Sequence, residues 1–241
     1  MSLTMQIHFG RLIVLWAALF SLHSEAAKFG MLDGNRRSAR RIVSKDPTEV
    51  RRHIYCFVGG PWDDWRKELA SAVAKFEAAV TKADPLVKVK RLHNSQWDVL
   101  CEELRSEPPF DESRGEALIL MGHSWGGQAV IDLALCVDDW GAKIPLAMTL
   151  DSSPKWGHDD PNVVPENIEK NFNYYQTNDL FFSGSSNRRL DGKSTGIVNE
   201  FLIPTKSTNP HNQLAEDLLV QKLFQDRVIE VLNSFSAKSK K

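Results

Sequence analysis

The chain has 241 residues, with 30 Lys+Arg against 31 Asp+Glu and a formal net charge of −1. At 42% hydrophobic and 25% charged residues it has ordinary globular composition, which excludes disorder over its bulk. The balanced charge excludes a general nucleic-acid binder, and the length allows a core that needs neither disulfides nor a structural metal. The three cysteines, Cys56, Cys101 and Cys136, are too scattered for a disulfide framework or a zinc site and read as buried thiols.

Arg11 precedes the apolar run Leu12–Leu22, which is followed by polar His23-Ser24-Glu25 and small Ala26-Ala27. An apolar run of about ten residues fits the core of an export signal and falls short of the roughly 20 that span a bilayer. Residues 1–26 therefore read as a cleaved signal peptide, for a periplasmic or secreted protein, with a membrane tether as the alternative. Residues 27–52 form a basic linker, 53–235 the folded domain and 236–241 a frayed tail.

From His53 onward, strands and helices alternate. Ile54–Val58 is a strand stopped by Gly59-Gly60-Pro61. Trp62–Lys82 has helical spacing in Trp65, Leu69, Val73, Phe76 and Val80. Val87–Leu92 is a strand, and Asn94 or Ser95 is placed to cap a helix carrying Trp97, Leu100, Cys101 and Leu104. Ala117–Met121 is apolar throughout, as a strand buried on both faces must be. Beyond Gly122–Gly127 come a helix from Gln128 to about Val137, strands at Ile144–Leu150, Phe172–Gln176 and Gly196–Ile203, and one last amphipathic helix just after His211. This order predicts an α/β fold: a mostly parallel sheet with helices on both faces.

Gly122-His123-Ser124-Trp125-Gly126 sits between a buried strand and a buried helix. A serine that attacks a carbonyl must project from a sharp, strained turn, and the two glycines let strand and helix approach there. The same turn puts the Trp125 N–H and the positive end of the helix beside a developing oxyanion.

LILMGHSWGG, with the order of elements from Ile54 to Leu232, resembles the nucleophile elbow and frame of the α/β-hydrolase superfamily, esterase and lipase-like members included. The resemblance implies the order Ser, acid, His along the chain. A base after Ser124 means His158 or His211, and His211, opening the last helix, stands where the superfamily keeps it. The acid is Asp151, ending its strand in Thr149-Leu150-Asp151-Ser152-Ser153-Pro154, or alternatively Asp179 after the next strand. Either carboxylate would fix the histidine tautomer and stabilise the imidazolium. The second oxyanion donor is expected from the loop after the first strand. Members of the superfamily often have His-Gly there and this chain has Val58-Gly59. Pro61 has no N–H, so Gly60 is the candidate and Gly59 the fallback.

Trp62 and Trp125 are the tryptophans expected near substrate. Asp63-Asp64, Asp138-Asp139 and His158-Asp159-Asp160 lack the spacing of a metal set and read as solvated turns. The stretch Ser152–Asn171 is too short for a large cap domain. The expected activity is hydrolysis of a small-molecule ester or lipid, with no cofactor and no nucleic-acid partner. Amide or thioester cleavage on the same fold is the alternative, and a non-catalytic binding protein the further one.

Overall fold

The computed structural model describes residues 49–60, 67–154, 160–178, 183–202 and 210–238, all within the unit Val43–Lys241. The export signal or tether, the basic linker up to residue 48, Trp62, His158 and Asp179 lie outside the described residues.

The sheet begins with β1 (Arg52–Val58), every residue of which is buried. Helix α1 (Lys67–Ala83) leads to β2 (Val87–His93) at the edge. The chain then returns through α2 (Trp97–Arg105) to β3 (Ala117–His123) on the other side of β1. Helix α3 (Trp125–Asp138) connects to β4 (Leu146–Leu150), and β6 (Asn171–Tyr175) and β8 (Ile197–Phe201) complete the sheet. The six strands run in the order β2-β1-β3-β4-β6-β8, and each neighbouring pair is parallel.

Alternate residues of each strand face opposite cores. Ile54, Cys56, Ile119, Met121, Met148 and Leu150 pack against α1 and the two C-terminal helices. Tyr55, Phe57, Leu118, Leu120 and Ala147 pack against α2 and α3. Both faces of the central strands are therefore covered, which is why β1 and β3 read as near-continuous apolar runs.

Three features depart from the sequence reading. The last helix is two: α4 (Pro210–Glu216) and α5 (Leu218–Lys238). Between them the Asp217 carboxylate accepts from the N–H groups of Leu219 (2.8 Å) and Val220 (3.2 Å), a side-chain cap that starts a new helix. Asn94 and Ser95 do not cap α2 but belong to a 3₁₀ turn, Asn94–Gln96, which is itself capped by His93. Finally, Cys101 and Cys136 are not thiols but a disulfide joining α2 to α3, with Cα atoms 6.3 Å apart. Only Cys56 is a buried free thiol. A two-stranded parallel pair, β5 (Val163–Val164) with β7 (Arg188–Arg189), was too short to read from sequence.

Candidate active site

The chain leaves β1 toward β2 on one side and later enters β3 on the other, so strand order reverses between β1 and β3. Parallel sheets bind ligands outside the carboxyl ends of strands at such a point. Gly59-Gly60 follows β1 there, and Ser124 follows β3.

Ser124 has φ 57° and ψ −123°, backbone that side chains rarely adopt, and Trp125 opens α3 immediately after it. The turn is pinned by its own main chain. The Ser124 N–H donates to the Leu150 carbonyl (3.0 Å), and the Ser124 carbonyl accepts from Gly127 (3.0 Å) and Ser153 (3.3 Å). A Cβ on Gly122 would strike the Gly126 carbonyl, and one on Gly126 the Phe57 carbonyl, so the helix lies directly on β1 and β3. A Cβ on Gly59 would meet the Ser124 Cβ and the Trp125 nitrogen. The loop after β1 thus runs against the nucleophile turn, with Gly60 next in line at φ 60°.

Asp151, directly after β4, is the second non-glycine residue at positive φ, 48°. Its side chain is wholly buried, and Oδ2 lies 2.6 Å from His211 Nδ1. Oδ1 accepts from the backbone N–H groups of Gln176 (3.1 Å) and Gly184 (2.9 Å), and Oδ2 also accepts from the Gln176 amide (2.7 Å). A buried carboxylate is costly unless its lone pairs are met, and four donors meet them here. Asn178 N–H holds Gln176 Oε1 at 2.6 Å, which turns the Gln176 NH₂ toward Asp151.

His211 is the second residue of α4 and is 4% exposed. Its ring lies 4.7 Å from that of His123, tilted by 31°, and its carbonyl oxygen is 3.2 Å from His123 Nε2. The structure therefore brings Asp151 and His211 into contact beside the Ser124 turn. Among the residues expected near substrate, Trp125 is partly buried, whereas Trp62 and the alternative acid Asp179 lie outside the described residues.

Behind this layer, between the sheet and helices α1 and α5, is an apolar cavity of about 90 Å³. Its walls include Cys56, Met121, His123, Leu150, Ala215 and Phe224. Burial pushes the Cys56 thiol up to about 12, so it is held protonated there. Among the described residues no group of His, Cys, Asp or Glu is placed to hold a metal ion, and no helix is long and apolar enough to cross a membrane.

Sequence reasoning missed Gln176, Gly184 and the contacts of His123. The first two touch Asp151 from separate loops, a proximity that no local spacing encodes. His123 did carry a signal, since it ends an alternating strand whose residues Ile119 and Met121 face the same core as α4.

No protein-family model matches the chain, and no curated protein matches it in sequence. Among solved structures it is similar to the RedJ thioesterase of prodiginine biosynthesis in Streptomyces coelicolor. That match has 10% identity and a TM-score of 0.46, covering 80% of this chain and 91% of that one. It is also similar to Est1E from Butyrivibrio proteoclasticus, at 11% identity and a TM-score of 0.43, covering 77% and 90%. A cutinase-like protein from Cryptococcus sp. matches at 10% identity and a TM-score of 0.44, covering 76% and 95%. Likenesses at this level say nothing about reaction or substrate. The chain's own arrangement is a strained serine turn after β3 of a parallel sheet, with Asp151 after β4 and His211 after β8, an order of elements similar to that of the α/β-hydrolase fold.

Proposed function

We propose that this protein is a serine hydrolase that cleaves carboxylic esters through an acyl-enzyme on Ser124. The observation that carries this reading is the buried 2.6 Å contact between Asp151 Oδ2 and His211 Nδ1 beside the strained Ser124 turn. With Nδ1 committed to Asp151, the other ring nitrogen, Nε2, is the one left to take a proton from Ser124. The freed oxygen attacks the ester carbonyl. The N–H groups of Trp125 and Gly60 stabilise the oxyanion, with the positive end of α3 behind them. The imidazolium then gives its proton to the leaving alcohol, and water, activated by the same nitrogen, releases the acid. Asp151 keeps the imidazole in the right tautomer and offsets the imidazolium charge.

The Cys101–Cys136 disulfide supports export to the periplasm or medium, because such bonds persist in oxidising compartments. The apolar run Leu12–Leu22 is the expected signal, with a membrane tether as its alternative.

The experiment is hydrolysis of p-nitrophenyl esters across acyl lengths by wild type, Ser124→Ala and His211→Ala. Turnover lost in both variants supports the reading. If wild type turns over no ester, the ester assignment fails; amide and thioester substrates come next, and a non-catalytic role if these fail too.

A further inference from the structure

We propose that His123 is a positioning residue that holds the base in register with the nucleophile. The inference rests on the reading of Ser124 as nucleophile and His211 as base. Asp151 meets one edge of the His211 ring at Nδ1, which leaves the ring face and the His211 backbone carbonyl for other contacts. His123 meets both. It stacks beside the ring, with centroids 4.7 Å apart, and its Nε2 is 3.2 Å from the His211 carbonyl oxygen. A carbonyl only accepts, so His123 Nε2 carries the hydrogen and donates it.

The place of His123 in the chain gives these contacts their meaning. It is the last residue of β3, in the middle of the sheet, and the residue immediately before Ser124. One side chain thus ties the backbone of the base to the strand that carries the nucleophile. A shift of α4 along the sheet has to stretch that bond before it changes the distance from serine to imidazole. His123 is 6% exposed, yet it forms part of the wall of the apolar cavity.

The test uses the purified protein with two substitutions. His123→Phe keeps a ring beside His211 and removes the donor. His123→Gln removes the ring and returns an N–H close to where Nε2 stood. Ester turnover is measured with Ser124→Ala as the blank, together with the low-field proton resonance of His211 Nδ1–H in its bond to Asp151. His123→Phe is expected to lower kcat about tenfold to a hundredfold with KM changed less than about twofold, the size of effect a small misplacement produces. Its low-field resonance should broaden or move, and His123→Gln should recover most of both signals. A folded His123→Phe with wild-type kcat and an unmoved resonance overturns the proposal, as does a folded His123→Gln as slow as His123→Phe. If His123→Phe does not fold, His123→Gln decides alone: recovery supports the proposal and loss of kcat overturns it. If wild type has no Ser124-dependent turnover, the ester reading fails and the resonance by itself judges the positioning.

Discussion

Ser124 and Asp151 both hold a positive φ, at a cost of order 1–3 kcal/mol for a side-chain-bearing residue, and both stand immediately after a central strand. Each is over-determined by its neighbours: Ser124 through Leu150, Gly127 and Ser153, Asp151 through Gln176, Gly184 and His211. Asp151→Asn separates role from shape. It keeps the volume but turns a donor toward groups that themselves donate, and it no longer holds the imidazole in the Nδ1–H tautomer. On ester substrates its kcat is expected to fall about 10³- to 10⁴-fold with circular dichroism unchanged. A loss smaller than tenfold would show that another carboxylate, Asp179 foremost, serves His211 during turnover.

Elements carry the site by being tied to one another. The Cys101–Cys136 bridge closes a 35-residue separation and fastens α3, the helix behind Ser124, to α2. A loop of that size constrains the unfolded chain by about 4 kcal/mol in the chain-entropy account. Cys101→Ala with Cys136→Ala should therefore melt well below wild type, and dithiothreitol should lower the midpoint of wild type but not of the double variant. A second tie is polar. Thr149, Asn173 and Asn199 are joined by hydrogen bonds across β4, β6 and β8, and Thr149, Asn171 and Asn199 bond Asn187, in the segment from Ser183 to Arg189. That segment brings the Gly184 N–H to Asp151. At this scale the sequence was legible where period and burial speak together: β1, β2, β3, β4 and the helices between them follow from apolar spacing alone. Ser124 was legible because its turn is local, and His211 through the resemblance. The break at Asp217, the cysteine pair and the loop donors to Asp151 were not, because each depends on which residues meet in space.

The two ends of the strands do different work in the whole molecule. At the carboxyl ends lie Gly59, Ser124, Asp151 and the cavity. At the amino ends Arg51 binds Glu116 (2.8 Å) and Glu107 (3.2 Å), and Arg52 pairs with Asp84, locking β1 to the segments before β3 and after α1. Next to this lock His53 is buried, its Nδ1 3.2 Å from the Tyr55 hydroxyl and its ring edge-on to Tyr55 and Phe110. Burial first, then Lys88 and Arg51, depress its pKa from 6.5 to about 4. Above pH 6.5 neither state of the chain protonates it. Between pH 6.5 and 4 the unfolded chain takes a proton that the fold refuses, so stability falls with falling pH and the contribution levels off below 4. The depression corresponds to about 3 kcal/mol over that window. Urea midpoints measured from pH 7.5 to 4 should slope less for His53→Phe than for wild type, and parallel slopes would show that His53 is protonated in the fold.

The left-handed Ser124 has one more implication, for how such a protein decays. Glycine occupies that backbone freely, so Ser124→Gly should raise the melting temperature while abolishing turnover. Differential scanning calorimetry beside the ester assay measures both. A lineage released from the need to hydrolyse would therefore gain robustness from its first disabling mutation, and the serine at 124 marks a chain in which that downhill step has not been taken.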